Sequence, residues 1–158
     1  MGIWIFCKNS EIDFSCSYTS WNIIRISIVK SFMIYLENWI NINSTTFVEG
    51  LSCGSNFYEE LKQLVTDYKN IVHDNDIYII FDKYINALTC FNFTGIYALV
   101  NKGDSEACYS CGNAYDICIL LETIDDKIDK ENYNYERIMQ IKAVFQHSVD
   151  TKQPIMVS

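Results

Sequence analysis

Twenty consecutive residues from Trp21 to Ile40, WNIIRISIVKSFMIYLENWI, carry only three charges, Arg25, Lys30 and Glu37. Within them Trp21, Ile24, Ile28, Phe32, Tyr35 and Trp39 recur at three- and four-residue steps, which is the period of an α-helix with a buried face. Apolar residues also occupy its other faces, so the remainder of the chain has to supply elements that surround it. The three charges break the run too often for a bilayer span, and the segment reads as the central helix of a folded domain. Ser20 or Thr19 is the expected N-cap.

The elements available to cover this helix follow from their own periods. Gly2 to Cys7 is continuously apolar, as in a strand buried on both faces, whereas Ile12, Phe14 and Cys16 alternate with Asp13, Ser15 and Ser17. The connection KNSE between them suits a hairpin. Phe57, Leu61, Leu64, Tyr68 and Ile71 form one stripe of an amphipathic helix, with Asn56 and Glu59 spaced as a capping box. Residues 77–88 satisfy both the helical and the strand period and are assigned to helix. GIYALV, Gly95 to Val100, reads as a buried strand. A helix from Ala114 to about Ile124, capped by Asn113, and a last helix carrying Ile138, Ile141, Phe145 and Val149 precede a terminal strand in PIMVS. The expectation is an α+β fold: one domain over residues 1–158, with a small mixed sheet of about four strands packed with four to five helices.

A chain of 158 residues that is 49% apolar, with a single proline at Pro154, is able to bury a substantial core and has no compositional linker. Its formal charge of −8 argues against nucleic acid, which demands a basic surface to displace counterions, and against anionic membrane surfaces. It suits a basic protein partner. The first residues lack a signal peptide's basic start and cleavage site, which gives a cytoplasmic expectation. Seven cysteines without dense spacing fit reduced thiols, with Cys7, Cys16, Cys90 and Cys118 as small buried hydrophobes. His73 and His147 read as residues ending their helices, where a cation complements the dipole.

The richest connection is NKGDSEACYSCGN, Asn101 to Asn113. Cys108 and Cys111 have a CxxC spacing, but zinc needs four ligands and the chain offers no second pair, so neither a metal nor another cofactor is expected. Asp104 and Glu106, with Asp116 beyond, invite an acid–base or hard-cation reading. They lack a calcium loop's ligand spacing and a nucleophile–base set, and no residue is nominated as catalytic. Gly103 and Gly112 do not form a phosphate-binding pattern. The residues nominated for binding are Lys102, Asp104, Glu106, Tyr109 and Ser110. The aromatic content of 15%, with eleven tyrosines, exceeds what one small core requires, and tyrosine favours interfaces.

Three stretches, MGIWIF, SYTSWNIIR and NKGDSEACYS, resemble motifs of the small acidic immunity proteins of polymorphic-toxin systems, in the family designated seventy. In the last stretch Lys102 stands at that family's His position, Gly103 at Ser, Ser105 at Cys and Ala107 at Gly, while Asp104, Glu106, Tyr109 and Ser110 agree. The resemblance implies a cytosolic binding protein with a small α+β fold and transfers no catalytic residue.

Three functional expectations follow. The first is a non-enzymatic, inhibitor-like protein-binding module using an acidic, tyrosine-containing surface. The second is a small enzyme or ligand-binding domain with a pocket at 101–113, where Asp104 or Glu106 is the acid–base group and Lys102 the anion partner. The third is a structural subunit of a larger assembly.

Overall fold

The computed structural model describes residues 2–44, 54–101 and 108–158. The chain opens with the expected hairpin, β1 (Gly2–Cys7) against β2 (Asp13–Ser17), in which Gly2 faces Ser17 and Phe6 faces Asp13. Its turn is closed by the Ser10 N–H donating to the Cys7 carbonyl, with Asn9 at a φ of 62° that asparagine tolerates better than most residues. Helix α1 (Tyr18–Asn43) follows without a linker. Its cap is Ser17 and not Ser20 or Thr19: Ser17 has the extended backbone that a cap needs, and its Oγ accepts the Ser20 N–H at 3.1 Å. The other two residues are already helical.

Helix α2 (Gly54–Lys69) starts two residues before Asn56, so Asn56 lies inside the helix and is not its cap. It buries Tyr58, Leu61 and Leu64, and the Tyr58 hydroxyl donates to the Ile40 carbonyl at 2.7 Å, tying α2 to the last turn of α1. Because α2 stops at Lys69, His73 does not end it; His73 precedes a single 3-10 turn at Asp74–Asp76. The segment that fitted two periods is helical, as α3 (Ile77–Lys83) and α4 (Ile85–Cys90), broken at Tyr84. Cys90 is exposed at the end of α4, contrary to the buried position expected for it.

GIYALV is not a strand. It lies in α5 (Thr94–Asn101), where Ile96, Leu99 and Val100 are buried. Asn92, at a φ of 60°, and the Phe93 N–H bonded to the Leu88 carbonyl turn the chain out of α4 and into α5. Helix α5 packs against α6 (Cys111–Thr123) so closely that a Cβ at Gly95 would stand 2.4 Å from the Asp116 carbonyl oxygen. The third strand is instead β3 (Cys108–Tyr109). Helix α7 (Tyr133–Thr151) ends at Lys152, in the left-handed conformation at φ 56°, and Pro154 leads into β4 (Ile155–Val157).

The sheet has the order β2-β1-β4-β3 and every pairing is antiparallel, which corrects the mixed sheet expected from the sequence. For two of the three pairings the reason is topological: a hairpin joins β1 to β2, and two helices return the chain between β3 and β4, so these pairs meet with inverted direction. The described residues contain seven α-helices, more than the four to five expected, because α3, α4 and α5 are short pieces in a stretch that lacks a clean period. Helix α7 covers β1, β2 and β4 from one side, with α1 beside it, and Ile3, Ile5, Phe14, Ile155 and Val157 point into the core they share. No helix among the described residues is long and apolar enough to cross a membrane.

Candidate functional site

Lys102, Asp104 and Glu106 lie outside the described residues, as do Gly103 and Ser105. The structure places the other two nominated residues within the fold itself. Tyr109 is 1% exposed and meets Phe145 of α7 edge-on, with ring centroids 5.2 Å apart, so its ring is core and does not face a partner. Ser110 is the N-cap of α6: its Oγ accepts the Asn113 N–H at 3.1 Å while the Asn113 side chain accepts the Ser110 N–H at 3.4 Å. Asn113 therefore belongs to a reciprocal capping box at its third helical position and is not the cap. The Cys111 that completes the CxxC spacing is the first residue of this helix. Among the described residues no group of three or more His, Cys, Asp or Glu is arranged to hold a metal ion.

What these residues do build is the end of the sheet, one side of which the described residues leave uncovered. Alternation puts Trp4 and Phe6 of β1, Asp13 and Ser15 of β2, Met156 of β4 and Cys108 of β3 on the face away from α7. Asp13, Phe6, Met156 and Cys108 are directly opposite one another across all four strands. Ser158 extends the ladder by exchanging backbone hydrogen bonds with Trp4 at 2.9 and 3.0 Å. Trp4 stacks on Phe6 with centroids 4.2 Å apart, and its indole N–H donates to Asp13 Oδ2 at 2.7 Å. Trp4 is 45% and Met156 41% exposed, so the row faces solvent. Glu11 and Lys8, both exposed, sit at the hairpin end beside it.

A carboxylate held at the edge of an exposed aromatic pair has the chemistry to accept a cationic side chain. The ring faces attract a guanidinium or ammonium, and the carboxylate accepts its hydrogen bonds. Sequence reasoning read β1 as buried on both faces because all its residues are apolar, and so missed this surface. The available signal was the partner strand, whose polar alternation at Asp13, Ser15 and Ser17 already required one wet face.

Arg25 was read only as a charge interrupting α1. It is 5% exposed, with its guanidinium 5.5 Å from the Trp21 ring and 5.2 Å from that of Tyr78, and Nη1 donates to the Val100 carbonyl at 3.4 Å. A buried cation thus meets the last turn of α5, where the helix dipole is negative. Its sequence signal was Trp21 four residues upstream, one turn away on the same face.

A groove of about 490 Å³ runs along the C-terminal half of α1, between Tyr35, Trp39 and Ile42 on one side and Thr123, Asp126 and Lys127 on the other. Lys127 and Asp126 pair there at 3.2 Å. Comparison with protein-family models, with characterised proteins and with solved structures finds no match for this chain.

Proposed function

We propose that this chain is a non-enzymatic, cytosolic protein-binding module of the inhibitor kind, and that it engages a basic protein through the uncovered face of its sheet. The observation that carries the reading is the four-strand row Asp13, Phe6, Met156 and Cys108 with Trp4 stacked on it, exposed on a face that no described helix covers. Tryptophan, phenylalanine and methionine are enriched in the cores of protein interfaces, tryptophan also among the residues that carry most of the binding energy, and Asp13 beside them favours arginine or lysine. The formal charge of −8 steers a basic partner toward the molecule and accelerates encounter. In the sequence, Asp104 and Glu106 lie four and two residues before Cys108, the first residue of β3. The resemblance to immunity proteins points to the same class.

The test places a photo-crosslinking amino acid at Met156 in the source cell, identifies the captured protein, and measures its affinity after purification. Asp13→Lys is expected to slow association and flatten its salt dependence, and Trp4→Ser to weaken binding at least roughly tenfold through faster dissociation. A captured protein whose affinity is unchanged by both substitutions overturns the assignment of this face.

A further inference from the structure

Where α1, α5 and α6 meet, a second cavity of about 160 Å³ is lined by Phe32, Tyr35, Phe93, Asn92 and Asp116 among others. It is separate from the sheet face and shares Tyr35 and Thr123 with the larger groove along α1. We propose that this cavity binds an organic ammonium group.

Four observations converge on that chemistry. Phe93 meets Phe32 at 5.5 Å and 71°, and Tyr35 at 6.2 Å and 85°, so the three rings form angled walls and not a flat stack. Trp39 adds a fourth ring at 5.3 Å and 84° to Phe93, on the side of the larger groove. Asp116, half-buried, has one carboxylate oxygen fixed by the Thr94 hydroxyl at 3.1 Å, which orients the group without neutralising it. Among the described residues no lysine or arginine lines the cavity, and Lys127 of the larger groove pairs with Asp126.

These features discriminate among ligands. An anion is repelled by Asp116 and by the net charge, and a neutral apolar molecule desolvates the carboxylate without compensation. An organic cation meets both the aromatic lining and the carboxylate. A volume of about 160 Å³ has room for a small cationic head such as a trimethylammonium group. A longer substituent would lead toward the larger groove, which is also lined by Asn38 and Asn41.

The experiment is a calorimetric and amide-shift titration at fixed ionic strength with choline and with its neutral isostere, 3,3-dimethylbutan-1-ol. Choline is expected to shift amides of α1, α5 and α6, and to bind about fivefold or more tightly than the alcohol. Asp116→Asn should weaken choline about tenfold and leave the alcohol unchanged; Tyr35→Leu, on the open side, gives a second variant if the first unfolds. A lysine side chain of a partner is the other source of an ammonium group, and N-acetyl-lysine methylamide binding more tightly than choline identifies it. Equal affinity for choline and its isostere, or choline affinity unchanged in both variants, overturns the proposal.

Discussion

Gly95 and Gly112 both lie near the start of a helix, and the same substitution by alanine should move stability in opposite directions at the two sites. In each case alanine restricts the unfolded chain and improves helix propensity, a gain of about 0.4–1 kcal/mol. At Gly112 no described residue opposes it, since among them the new Cβ would have only Ser110 Oγ nearby, at 3.7 Å. At Gly95 the Cβ would lie 2.4 Å from the Asp116 oxygen and 2.8 Å from its carbonyl carbon, both backbone atoms. Relieving that contact requires α5 and α6 to separate by about 1 Å along an interface buried through Ile96, Leu99, Ile117 and Leu120, and overpacking of this kind costs about 1–3 kcal/mol. The clash outweighs the propensity gain, so Gly95→Ala should be destabilised by about 1–2 kcal/mol and Gly112→Ala stabilised by about 0.5 kcal/mol. Urea unfolding followed by circular dichroism reads both, with the midpoint moving at constant slope. A Gly95→Ala protein as stable as Gly112→Ala would refute the close approach of the two helices.

Further perturbations test other parts of the fold. Ser110→Ala removes one half of the α6 capping box and should cost about 1 kcal/mol in the same unfolding assay, whereas Ser110→Asp, which restores an acceptor, should recover most of it. Tyr84 donates to Asp67 Oδ2 at 2.5 Å, and this bond, followed by that from Gln63, holds the Asp67 carboxyl below its ordinary range. Tyr84→Phe should therefore cost about 1.5 kcal/mol at neutral pH. Because a depressed carboxyl stabilises only above its unfolded value, that penalty should shrink as the pH falls through 3.8 and below. Burial, and next the charge of Glu122, push the Cys118 thiol up to about 11 from 9.0. The unfolded chain then loses its proton first, so stability is intact below pH 9 and falls by at most about 2.5 kcal/mol toward pH 11, a slope that Cys118→Ala should reduce. At pH 8, peptide-resolved alkylation should modify the exposed Cys90 and Cys108 well before the buried Cys7 and Cys118.

The sequence by itself determined the elements whose residues differ from one face to the other. The wet and dry sides of β2, the stripe of α2 and the spacing of α7 each specify a period, and period is a local property that survives without the rest of the chain. The long apolar run of α1 likewise announced a helix needing cover, although Arg25, stacked between Trp21 and Tyr78, showed its role only once α3 and α5 were placed beside it. GIYALV has no such contrast: strand and helix bury six apolar residues equally well, and the choice fell to the fit of Gly95 against the α6 backbone, a contact between segments about twenty residues apart. The displaced third strand is two residues long, too short to carry any period, and exists because Ile155 and Met156 of β4 offer it a partner. Candidate surfaces divide in the same way. The acidic composition was legible in the letters, but the uncovered aromatic row and the ring-walled cavity required strands and helices distant in sequence to meet. A single chain segment encodes which of its own faces is apolar; which apolar faces remain uncovered is decided only by the packing of all the others.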